Sequence, residues 1–293
     1  PDLVRMVRYA RLLGFKRVEL QTNATLLGNP ANARRLAKAG VCSALISLPS
    51  HVEKVYNALT ATRGYYQAAL SGLRNMLDAG VRVSIAHVMC TANFRQLPEF
   101  VDFVQEHFPE VTGVGFLYVQ PEGRATRYPG LYPDLRELKP VLHRAMSRCD
   151  EFGLRFTTDV QCGVPMCMLE GYEDRIDRSL FLEPDSFWAH DLSSYRYMQS
   201  HKRKTEACEG CFFTDVCHGF WNEYLDAYGG AGLTAVSGTE RLRGLFPRIG
   251  ASSVRDVVLD GHAAPSRMAN ADGIRPRVRR ELTVSEGPAR QGA

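Results

Sequence analysis

The sequence predicts an α/β fold: a parallel sheet curved into a barrel or partial barrel, followed by a small irregular cysteine-rich module. Three observations carry this. Helical and strand-like stretches alternate about five times between residues 2 and 158, and such alternation means βαβ units, because parallel neighbours need a crossover helix. The strand-like stretches, among them Ala44–Leu48 and Val81–Val88, are apolar almost throughout, as covered strands are. Five of the eight cysteines fall between 162 and 217, where the periodic pattern stops. Helices on one side of a curved sheet give a barrel, and an open doubly wound sheet is the competing arrangement. In both, function belongs at the C-terminal ends of the strands.

The elements follow in order. Residues 2–13 place Leu3, Val7, Ala10 and Leu13 near the helical period, and Gly14 closes that helix. A strand over 17–21 ends at Thr22-Asn23. A helix over 30–39 is stopped by Gly40, and a strand runs from Cys42 to Leu48. A helix over 64–79, stopped by Gly80, leads to the strand Val81–Val88. The helix 96–108 precedes the strand Val111–Val119, and the helix 133–152, stopped by Gly153, precedes the strand Leu154–Thr158. After residue 158 periodicity is weak until a short helix near 219–228, with Trp221, Tyr224, Leu225 and Tyr228 on one face. From about 230 Gly, Ala, Arg and Ser dominate, which reads as a solvated tail.

Composition narrows the function classes. Hydrophobic residues at 45% and charged residues at 23% exclude a disordered chain or a heptad rod. No apolar run approaches the roughly 20 residues that cross a bilayer. A net charge of +4 does not argue for nucleic acid, since Arg275, Arg277, Arg279, Arg280 and Arg290 all lie in the tail. The sequence opens Pro1-Asp2-Leu3 without a signal segment, and eight cysteines are too dilute for a secreted disulfide scaffold, so a cytoplasmic protein is expected.

Cys208-x2-Cys211-x5-Cys217 gathers three thiols on a turn. A fourth donor is available from Cys162-Gly-Val-Pro-Met-Cys167, with Cys167 preferred and Cys162 the alternative. Four thiolates suit tetrahedral zinc or an iron–sulfur cluster. Zinc ribbons usually pair two CxxC knuckles, whereas here one knuckle is followed by a five-residue gap, which tilts the reading towards iron–sulfur. Cys42, Cys90 and Cys149 lie in a predicted strand, loop and helix and read as buried free thiols.

The run from Cys208 to Gly229, with its CxxCx5C spacing, following glycine and tyrosine-rich helix, resembles the auxiliary-cluster segment of SPASM and twitch-type radical SAM proteins. Val18–Asn23 is similar to that family's third barrel strand, Ile46–Leu48 to its fourth, Thr91–Asn93 to the end of its fifth, and Val119–Ala125 to the end of its sixth. Pro1-Asp2-Leu3 resembles the stretch after the family's Gly-Gly-Glu-Pro motif. Neither that motif nor a CxxxCxxC occurs in the sequence, so it reads as an N-terminally truncated member lacking the first two strands.

The resemblance implies a radical SAM oxidoreductase or maturase in the intact form, with this chain alone inactive. The intact protein would hold S-adenosylmethionine and a second [4Fe-4S] cluster, and the auxiliary [4Fe-4S] cluster would sit on Cys167, Cys208, Cys211 and Cys217. Asn23, Ser47 and Asn93 would line the cofactor pocket. An electron donor and a substrate of the peptide, protein or small-molecule kind are the implied partners, with no nucleic acid and no membrane. Tyr118, Arg124, Arg127 and Tyr128 follow the last barrel strand, where a solvated loop is the plainer account. The expected organisation is a partial barrel over 1–158, a cluster module over 159–232 and a flexible tail over 233–293. The competing readings are a non-enzymatic α/β binding protein with a structural zinc knuckle, and a metal-independent α/β enzyme with incidental cysteines.

Overall fold

The computed structural model describes residues 2–158, 163–176, 200–247 and 249. Helix α1 (Asp2–Leu12) precedes strand β1 (Glu19–Thr22), and α2 (Pro30–Ala39) leads to β2 (Ser43–Ser47). Helices α3 (Glu53–Thr60) and α4 (Tyr66–Asp78) precede β3 (Arg82–Met89). Helix α5 (Leu97–His107) precedes β4 (Gly113–Tyr118), and α6 (Leu135–Phe152) precedes β5 (Arg155–Thr157). The five strands pair in parallel in the order β1-β2-β3-β4-β5. That order has no reversal, so right-handed crossovers place all the connecting helices on one face. A doubly wound sheet needs a reversal; the sheet is therefore a singly wound partial (β/α) barrel wall.

The predicted strands and helices fall within a few residues of the observed ones, because glycines mark most helix ends. Gly40 and Gly153, both left-handed, close α2 and α6. At the other ends, Asn29 and Asp134 cap the same helices by accepting from the backbone N–H of Ala31 and Arg136. Helix α3 is a difference. Its eight residues bury only Tyr56, which leaves no periodic stripe to read.

The two faces of the sheet differ in chemistry. Towards the helices point Ala44 and Ile46 of β2, Val83, Ile85 and Met89 of β3, and Val114 and Phe116 of β4, packed against Leu73, Met76, Phe100, Val104, Leu142 and Met146. The opposite face is mixed, with several small and polar residues in register. One row runs Ser47, Ala86, Gly115, Thr157, another runs Leu45, Ser84, Gly113, Arg155, and Val88 pairs with Leu117. The expectation of strands apolar almost throughout holds best on the helix-covered face. A barrel puts such a face towards its lumen.

Beyond the sheet, Lys202–Arg203 (β6) and Phe220–Trp221 (β7) form an antiparallel ribbon that brackets the cysteine loop. Helix α7 (Asn222–Tyr228) fastens this ribbon to the barrel wall. The Tyr224 hydroxyl accepts from Leu135 N at 3.0 Å and donates to the Ala231 carbonyl at 2.6 Å, while the Tyr118 ring meets Phe220 edge-on at 4.8 Å. Residues 233–247, expected in the tail, are packed instead. They include α8 (Glu240–Leu245), and Leu242 and Phe246 are buried, with Phe246 against Phe213 at 5.3 Å between ring centres. Among the described residues no helix is long and apolar enough to cross a membrane.

Candidate functional site

The C-terminal ends of the strands hold the first group of expected site residues. Asn23 is exposed, one residue beyond β1, and its Oδ1 accepts from Thr25 N at 3.2 Å and Thr25 Oγ1 at 3.0 Å. The neighbouring Ala24 has φ of 60°, a left-handed conformation that an alanine adopts only when its surroundings impose it. Gly72 of α4 lies against it, and a Cβ at that position would run into the Ala24 carbonyl oxygen. Ser47 ends β2, exposed on the mixed face. Asn23 and Ser47 thus stand at adjacent strand ends and are reachable from solvent.

Asn93 stands beyond the C-terminal end of β3. It is 2% exposed, and its amide is consumed internally. Its Oδ1 accepts from Cys90 N at 2.7 Å, and its Nδ2 donates to the Pro49 and Val88 carbonyls, both at 2.8 Å. It braces the ends of β2 and β3 together. Tyr118 is likewise structural, buried with its hydroxyl donated to the Pro133 carbonyl at 2.8 Å. Arg124, Arg127 and Tyr128 are exposed on the loop after β4, and the described residues offer the two arginines no carboxylate partner.

The second group is the cysteines. Cys167, Cys208, Cys211 and Cys217 line one pocket, together with Pro165, Met166, Phe213, Leu233, Thr214, Thr234, Gly219 and Lys204. Cys162 lies outside the described residues. Cys167 is pushed up to about 11, first by burial and then by the neighbouring thiols of Cys217, Cys208 and Cys211, against a backbone N–H from Thr234. Burial also raises Cys217, against N–H donors from Gly219 and Met166 and the charge of Lys202. The Val236 N–H donates to Cys211 Sγ at 3.4 Å. The pocket therefore aims backbone donors at several sulfurs, an arrangement that favours thiolates once a cation is present.

Among the described residues no three His, Cys, Asp or Glu side chains converge on one metal position. As a donor set, four thiols suit either tetrahedral zinc or an iron–sulfur cluster. Cys90 and Cys149 stand apart as buried free thiols, the latter pushed up to about 12 by burial, while Cys42 is half-buried.

Sequence reasoning missed the donors from residues 233–236 and the place of Lys204 in the pocket wall. The glycine after the triplet was a readable signal. Gly219 has φ of 83°, and a Cβ there would strike the Arg203 backbone.

The chain is similar to known proteins over part of its length. Residues 1–104, from α1 through most of α5, match the model of the Radical SAM superfamily. The chain is also similar to the Fe-coproporphyrin III synthase of Methanosarcina barkeri, 22% identical over 184 residues. That alignment covers 61% of this chain and 45% of the relative, so the chain spans less than half of the relative's length.

Proposed function

We propose that this chain is part of a radical SAM enzyme whose auxiliary [4Fe-4S] cluster is bound by Cys167, Cys208, Cys211 and Cys217. The observation that carries the reading is the four-cysteine pocket docked beside a barrel wall that matches the Radical SAM superfamily. In a longer protein of that kind, a site-differentiated cluster together with S-adenosylmethionine would supply radical chemistry that removes a hydrogen atom from the substrate.

This chain's residues supply position and shelter. Asn23 and Ser47 offer hydrogen bonds at adjacent strand ends, held by the Thr22–Thr25 turn and by the Asn93 brace. The small side chains of Ala86 and Gly115 leave room over the sheet face. The cysteine module is anchored at the C-terminal end of β4 and the start of α6 through Phe220 and Tyr224. Arg124 and Arg127 on the adjoining loop favour a substrate that bears carboxylates, a class that includes peptides and proteins as well as the coproporphyrin of the Methanosarcina relative's name. A low-potential electron donor completes the set of partners.

Anaerobic reconstitution of single Cys→Ala variants tests the ligand assignment. Iron and sulfide should fall sharply for Cys167, Cys208, Cys211 and Cys217 and stay unchanged for Cys90 and Cys149. A Cys211→Ala variant that retains its full iron and sulfide would refute the site. If Cys162→Ala loses iron and Cys167→Ala does not, the fourth ligand is Cys162.

A further inference from the structure

Of the residues lining the four-cysteine pocket, Lys204 alone carries a charged side chain. Lys204 is exposed at the pocket rim and is held by Thr214. The ammonium donates to the Thr214 carbonyl and approaches Thr214 Oγ1 at 3.4 Å, and Thr214 lies midway along the gap between Cys211 and Cys217. No carboxylate among the described residues forms an ion pair with it. Its neighbour Lys202 is buried over the Trp221 ring at 4.5 Å and does not line the pocket.

We infer that Lys204 tunes the redox potential of this pocket, its pinned ammonium raising the reduction potential of the cluster held by Cys167, Cys208, Cys211 and Cys217. The inference rests on the cluster reading above. On reduction the cluster takes one electron from a low-potential one-electron donor. No bond is made or broken and no proton moves, so the net negative charge on the four-thiolate unit grows by one. A nearby cation stabilises the more negative, reduced state more than the oxidised one. The same ammonium also ties the cysteine loop to β6, so charge and tether must be separated. Glutamine separates them, because it still donates to the Thr214 carbonyl but carries no charge.

The test is a redox titration of the reconstituted chain, followed by the cluster's absorbance and its paramagnetic signal, for wild type, Lys204→Arg, Lys204→Gln, Lys204→Met and Lys204→Glu. The midpoint should stay near wild type for Lys204→Arg and fall for Lys204→Gln and Lys204→Met by similar amounts. It should fall furthest for Lys204→Glu, and raising the ionic strength should shrink the spread. A Lys204→Gln midpoint equal to wild type, or one midpoint for all five proteins, would overturn the tuning role while leaving the cluster in place. A wild-type chain that takes up no iron and sulfide would overturn the cluster reading itself, and the tuning role with it.

Discussion

Single residues in this chain carry structural loads that the sequence shows only in part. Gly219 was visible as the glycine after the cysteine triplet, but its reason lies in contact with Arg203, which only the folded ribbon displays. Gly219→Ala forces a left-handed alanine into that backbone and should cost roughly 2–4 kcal/mol. Thermal denaturation and iron content together should show a lower melting temperature and a depleted cluster. Asn93 was legible as a strand-end asparagine. Its burial was not, because the Pro49 and Val88 carbonyls it serves come from separate stretches of sequence. His87 is another hidden residue, read only as part of an apolar strand. It is 1% exposed, bonded through Nδ1 to the Leu48 carbonyl at 3.1 Å and packed on Phe100. Burial lowers it to about 3, so the folded state holds it neutral while the unfolded chain protonates it near the ordinary value. Its contribution is therefore complete above the unfolded pKa and is lost as pH falls from about 6.5 towards 3. Between pH 7 and pH 5 the loss should be on the order of 2 kcal/mol by urea denaturation. The decline should be visibly shallower in His87→Leu.

At the scale of elements, the β/α repeat was legible because local signals agree with the fold. Glycines close most of the helices, apolar residues fill the covered face, and the caps Asn29 and Asp134 stand where the helices begin. Helices α3 and α8 were not legible. The first buries a single tyrosine, and the second has six residues including Gly244 in a Gly- and Arg-rich setting. Their stability comes from tertiary contacts such as Phe246 on Phe213 rather than from an amphipathic stripe. Residues 233–247 also furnish Thr234 and Val236 as donors to Cys167 and Cys211. A chain ended at 232 should accordingly bind less iron on reconstitution than the 293-residue chain and release it faster to a chelator. Equal iron content and equal release rates would show that these donors are dispensable.

At the scale of the whole molecule, the consecutive strand order and the two-faced sheet make a barrel wall with a mixed lumen side. Strand order could not be read from the alternation of helices and strands, because a doubly wound sheet has the same alternation. The rows Ser47-Ala86-Gly115-Thr157 and Leu45-Ser84-Gly113-Arg155 became visible only once the register was known. The cysteine module was legible in its spacing, and its docking was not, since the Tyr118–Phe220 contact joins residues far apart in sequence. The 293 residues contain no CxxxCxxC to hold an open-sited cluster. Incubated with dithionite and S-adenosylmethionine, this chain should release no 5′-deoxyadenosine above a protein-free blank, as measured by chromatography. Release well above that blank would mean that other residues hold the cofactor and its cluster.

Metal and sulfide analysis of the anaerobically prepared wild-type chain decides whether the pocket of Cys167, Cys208, Cys211 and Cys217 holds an iron–sulfur cluster. The expected result is a brown protein with iron and acid-labile sulfide in equal amounts, about four of each per chain, whose colour bleaches on reduction. A colourless protein with stoichiometric zinc and no sulfide would contradict it and make the pocket a structural zinc site.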